Sequence, residues 1–144
     1  METITLSKVL VAARIENLED LFRVEQDQLA PDQVRHVEVT NALADTGAMM
    51  LSLPRRLIEH LGLKQYRTRQ VKTSSGYAEA GIYAAVRLTI QGRDCHVDVA
   101  SVHDECPVLV GQVPLELLDF VVDPVNRCLC GNPEHGGQHM VDIL

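Results

Sequence analysis

Aromatic residues are nearly missing from this chain: it has two Phe, three Tyr and no Trp in 144 residues. A core must therefore be assembled from Val, Leu, Ile and Ala. Cations are also few, 13 against 20 acids, for a formal net charge of −7. No Lys/Arg stripe forms, which argues against sequence-independent nucleic-acid binding and against a polybasic membrane site. No apolar run reaches the roughly 18 residues that would cross a bilayer. Met1 to Thr5 shows no basic region followed by an apolar one, so no secretory signal is visible. The expectation is a soluble, cytoplasmic protein. In that setting Cys95, Cys106, Cys128 and Cys130 read as thiols and not as a disulfide framework. Internal repeats and low-complexity tracts are missing too.

What remains is a chain of ordinary apolar content, 46%, long enough for one domain with a real core. Val9, Val11, Ala13 and Ile15 share one face of a strand predicted over residues 5–15. Leu18, Leu21, Phe22 and Leu29 fit a short amphipathic helix or an excursion. Val37, Val39 and Leu43 alternate with polar neighbours in a second strand, residues 34–44. Met49 to Leu53 is a short apolar stretch, and Pro54 suits the first turn of a helix that Gly62 ends. Residues 67–100 read as hairpins, with turns at Ser74-Ser75-Gly76 and Gln91-Gly92-Arg93. Gly81 marks a bulge or a close approach. An apolar run, Val108-Leu109-Val110, closes on Gly111. A short helix over Pro114–Leu118 and a strand over Phe120–Val122 follow. Short strands with turn signals between them indicate an all-β barrel or sandwich. Residues 1–130 form the expected domain, and the Gly-, Pro- and His-rich stretch 131–144 the expected flexible C-terminal tail.

Asp45-Thr46-Gly47 is the motif that carries chemistry. Alone it is common by chance. Here a hydrophobic strand enters it, Ala48 and an apolar segment leave it, and Val108-Leu109-Val110-Gly111 with a short helix comes about sixty residues later. This constellation, over residues 34–130, resembles the retroviral-type (retropepsin-like) aspartic peptidases, including their bacterial single-domain relatives. The resemblance implies a closed β-barrel with a flap hairpin and one or two short helices. It implies that Asp45 is catalytic, with Thr46 bracing the site and Gly47 bringing its N–H to the carboxylate. Ala48 would leave the substrate side uncrowded. The flap would span Val71–Tyr83, with Ser75, Gly76 and Tyr77 at a substrate-facing tip. The viral enzymes carry an acid after the Ala, where this chain has Met49, and an Arg after the later glycine, where it has Gln112.

Water-driven amide hydrolysis needs one carboxylate to accept a proton and one carboxylic acid to donate one. Two carboxyls about 3 Å apart share a single proton and supply both roles. One Asp-Thr-Gly per chain then requires a twofold-related partner, hence a homodimer acting on a peptide or protein substrate. No metal or cofactor is called for. Asp94, Asp98, Asp104, Asp119 and Asp123 read better as solvated turn or strand-end acids than as a second carboxylate. Cys128, Cys130, His135 and His139 could be proposed for zinc, but Cys-x-Cys is an uncommon structural spacing, and the reading is set aside. A Cys-His peptidase built on Cys95, His96, His103 and Cys106 has no local signature. The competing class is a dimerisation or peptide-binding module on the same fold, without turnover.

Overall fold

The alternation at Val9, Val11, Ala13 and Ile15 becomes β1 (Val9–Asn17), with those four side chains buried. The computed structural model describes residues 8–143, so the part of the first predicted strand before Lys8 lies outside the described residues. The segment after β1 is a helix, α1 (Leu18–Glu25). Asn17 starts it by accepting the Asp20 N–H at 3.0 Å, and its amide donates to the Leu61 carbonyl at 2.8 Å. Buried Asp20 takes the Arg35 guanidinium on both oxygens, at 2.8 and 2.9 Å. That pairing anchors the return of the chain into β2 (His36–Ala44).

After β2 come β3 (Leu51–Pro54) and α2 (Arg55–Leu61), which ends on left-handed Gly62 at φ +64°. Pro54 precedes the helix by one residue, and Asp104 caps it from far along the chain by accepting the Arg56 N–H at 2.9 Å. The hairpins are β4 (Lys64–Thr73), β5 (Gly76–Ile90) and β6 (Arg93–Val102). Next are β7 (Leu109–Val110), α3 (Gln112–Leu117), β8 (Phe120–Asp123) and β9 (Cys128–Gly131).

The main sheet runs β1-β2-β7-β3-β6-β5-β4, and β1 also pairs with β5. Six strands thus close into a ring, and β4 hangs outside it on the first half of β5. The fold is all-β, of the retropepsin-like type, with short helices. Its core is aliphatic, as the composition requires: Ile15, Leu51, Leu53, Ile58, Leu61, Leu88, Ile90, Leu115 and Leu118 are almost fully enclosed. Phe120 is the one aromatic side chain buried there, and Arg93 stacks on its ring at 4.6 Å.

The ladder decides between the two readings of Gly81. The bulge in the β4–β5 ladder falls between Gln65 and Arg67, opposite Ile82 and Tyr83, and not at Gly81. Gly81 is a close approach instead: a Cβ there would meet the Tyr83 ring at 2.9 Å and the Gln65 amide at 3.0 Å. Beyond Gly131 the chain makes specific bonds. Arg93 donates to the carbonyls of Leu118, Asp119 and Gly137, and Asp119 binds His135 and the Met140 N–H.

Candidate active site

β2 delivers Asp45 to the surface. Its last residues run parallel to β7, with Leu43 beside Leu109 and Ala44 beside Val110. The Asp45 N–H continues that ladder to the Val110 carbonyl at 2.9 Å. On the other side of β7 lies β3, antiparallel, with Leu51 beside Val110. The loop 45–50 therefore leaves one neighbour of β7 and returns as the other.

The start of α3 locks this loop. The first N–H groups of a helix lack partners within it. Here Gln112 N–H donates to the Ala48 carbonyl at 2.7 Å and Val113 N–H to Met49 at 2.9 Å, while Gly111 N–H reaches Met50 at 3.1 Å. Such closeness excludes a side chain at position 111. A Cβ there would lie 2.5 Å from the Met50 oxygen and 2.7 Å from the Ala48 oxygen.

Within the loop, Gly47 N–H donates to one carboxylate oxygen of Asp45 at 2.8 Å, and Ala48 N–H to the Asp45 carbonyl at 3.1 Å. A Cβ on Gly47 would sit 3.1 Å from that same carboxylate oxygen. The second carboxylate oxygen has no partner among the described residues. Thr46 and Gly47 are exposed, Asp45 and Ala48 half-buried. Met49 is 67% exposed, and Gln112 bonds Glu116 at 2.9 Å. Neither residue replaces the viral ion pair. A cleft of about 280 Å³ opens beside the loop, between Met50, Val97, Val113 and Leu117.

The other acids are placed elsewhere. Asp98 accepts the Tyr66 hydroxyl at 2.5 Å, Asp104 caps α2, Asp119 holds the C-terminal stretch, and Asp123 closes a turn with Asn126. Asp94 pairs with Thr89, which pairs with Arg14, whereas Ala44 pairs with Val9. Five steps along β1 separate them, roughly 16 Å at 3.3 Å per residue. A cavity of about 540 Å³ lies between β1 and α1, but its buried acid, Glu16, is already bound by Arg87 at 2.8 Å. Burial pushes the Cys95 thiol up to about 12, which removes it as a nucleophile.

The candidate flap is the β4–β5 hairpin. Ser75, Gly76 and Tyr77 are all at its exposed tip, and Tyr77 is 79% exposed. The residue that sequence reading missed is Thr73. Its hydroxyl donates to the Gly76 carbonyl at 2.8 Å and accepts the Ser75 N–H at 3.2 Å. A Thr two residues before a Ser-Gly pair is the usual signature of such a turn, and could have revealed it.

A closed all-β ring with an Asp-Thr-Gly loop locked to a short helix defines a retropepsin-like protein. A family model described as aspartyl protease matches residues 32–118, more than half of the 144, and the chain belongs to that family. No curated protein matches the chain. Among the described residues no helix is long and apolar enough to cross a membrane.

Proposed function

We propose that this chain is an aspartic endopeptidase whose active site forms between two copies, each supplying Asp45. The observation that carries this reading is the state of that carboxylate. One oxygen is aimed by Gly47 N–H, the other is open, and the loop is fixed from behind by three backbone bonds to the Gly111–Val113 segment. Two such loops facing across a twofold axis would bring the open oxygens together, where one shared proton suffices for both. The unprotonated member takes a proton from water as that water attacks the peptide carbonyl; the protonated member donates to the carbonyl oxygen. Thr46, exposed beside the acid, would brace the opposite loop. Ala48 leaves the substrate side open, and Ser75, Gly76 and Tyr77 close over the bound peptide from the flap. Any dyad titration belongs to the pair and not to one residue.

The test uses a peptide library, with dimer mass measured in parallel by sedimentation. Asp45→Asn should lower cleavage by at least about a thousandfold, the scale of a lost general acid–base, while mass and melting temperature stay the same. Cleavage that survives in Asp45→Asn defeats the assignment. A wild-type dimer that binds peptides without cutting them at any pH assigns the chain instead to the non-catalytic module class.

A further inference from the structure

The β8–β9 hairpin lies beyond the aspartyl protease match, which ends at residue 118. Along β9 the side chains alternate. Leu129 is in the core, so Cys128 and Cys130 share the opposite face, both half-buried. Their sulfurs stand 3.9 Å apart. Asp123 is directly across the ladder from Cys128. One of its carboxylate oxygens and the two sulfurs all lie within 4.8 Å of one another.

The separation of the two sulfurs matches a tetrahedral metal site. Two thiolates on one Zn²⁺, each at about 2.3 Å, stand about 3.8 Å apart. The carboxylate is already oriented: it accepts Val125 N–H and Asn126 N–H at 3.1 Å each, and the Asn126 amide at 2.8 Å. A carboxylate offers about four lone-pair positions, so three bonds leave one for an ion. Outer hydrogen bonds of this kind fix metal ligands in place. The nearby histidines are engaged elsewhere: His135 is held by Asp119 and Asp142, and His139 sits 3.0 Å from the Leu117 carbonyl.

We infer that Asp123, Cys128 and Cys130 form a binding site for one thiophilic divalent cation, with Zn²⁺ the best fit. Binding forms two Zn–S bonds and one Zn–O bond. Two thiol protons go to solvent, five of the six waters of the aqua ion leave, and one water remains as the fourth ligand. No oxidation state changes. The ion would clamp the two strands beside the exposed turn at Val125 and so stiffen the hairpin that leads into the C-terminal stretch.

The experiment uses the full chain, stripped with chelator and kept reduced with a phosphine, and titrates it with Co²⁺ as the probe. Thiolate-to-cobalt charge transfer reports sulfur ligation, native mass spectrometry the stoichiometry, and Zn²⁺ should displace the colour. One ion per chain is expected, with two protons released. Cys128→Ser and Cys130→Ser should each weaken binding by well over about tenfold, and Asp123→Asn by about tenfold, since even outer-shell losses reach that scale. Cys95→Ser and Cys106→Ser should leave it unchanged. Circular dichroism of the metal-free variants checks that each still folds. A reduced chain that gives no charge-transfer band at stoichiometric Co²⁺ overturns the proposal. So does a band that survives in the Cys128→Ser/Cys130→Ser double variant.

Discussion

Asp45 and Asp119 each stand where one element ends and the next begins, Asp45 after β2 and Asp119 between α3 and β8. Asp45 is half-buried and accepts one bond, from Gly47 N–H. Asp119 is 6% exposed and accepts three, from His135 at 2.7 Å, Met140 N–H at 3.0 Å and Asn132 at 3.2 Å. Its backbone is left-handed, at φ +59°, and its carbonyl takes Arg93. A buried carboxylate held by three donors is closed to a substrate; a half-buried one with a free oxygen on a rigid loop is not. The support differs too. The Asp45 loop is braced by backbone groups, whereas the Asp119 junction depends mainly on side chains, those of Arg93, Asn132 and His135, with one backbone N–H from Met140.

Asp45→Asn makes the sharpest contrast, since it should stop cleavage without touching stability. Gly111→Ala asks whether the backbone brace matters as much as the acid. The added Cβ would overlap the Met50 and Ala48 oxygens, which are acceptors of the bonds that hold the loop and cannot both give way. Overpacking of this kind should cost about 3 kcal/mol in urea unfolding. Cleavage should also fall sharply, because the loop must shift. Full stability in Gly111→Ala would show that the brace is looser than its distances indicate.

The Asp119 junction should instead be sensitive to pH. Burial pushes the Asp119 carboxyl up, but the bonds from His135, Met140 N–H and Asn132 outweigh it and bring the value down to about 2. The bond to Asp119 raises His135 above its ordinary 6.5, against the opposing effect of burial. A raised histidine contributes stability that is complete below about 6.5 and is lost as pH climbs through its folded value. A lowered acid contributes stability present above 3.8 and lost as pH falls toward about 2. The junction is therefore strongest between those limits. Melting curves from pH 5 to 9 should show a decline above 6.5 in the wild type that is smaller in Asp119→Asn, where Asp142 alone still faces His135; Asn tolerates the left-handed backbone but carries no charge. Identical profiles for the two proteins would mean that the contact is not coupled to protonation.

This contrast also explains what could be read from the sequence. The Asp45 site compresses into local signals, because backbone crowding excludes a side chain at 111, and a Cβ at 47 would press on the Asp45 carboxylate. Periodicity placed the end of β1 and both ends of β2 within two residues. The Asp119 junction joins Arg93, Asn132, His135 and Met140 across nearly fifty residues, and no local pattern announces it. The same holds for Asp104 on α2 and for Asp20 on Arg35, both side-chain bonds between distant segments. In the Gly-, Pro- and His-rich stretch, Gly136 and Gly137 supply positive-φ turns that composition alone does not place.

The smallest expected effect concerns the two hairpin turns. At the β5–β6 turn both central residues have positive φ, Gln91 at +50° and Gly92 at +81°, the twist that strands prefer. At the flap tip Ser74 and Ser75 do not, and only Gly76, at +119°, lies in that region. An unprimed turn splays its strands, and the Thr73 hydroxyl offsets this by clamping Ser75 and Gly76. Thr73→Val keeps the branched shape and removes the clamp. Being exposed, the position should change stability by no more than about 0.5 kcal/mol. If the flap closes over substrate, KM should rise by up to about fivefold, the equivalent of one hydrogen bond near 1 kcal/mol. Steady-state kinetics on a single cleavable peptide measure it, with Gln91→Ala as the reference at the other turn. Equal KM values in Thr73→Val and wild type would place the tip outside the substrate's reach.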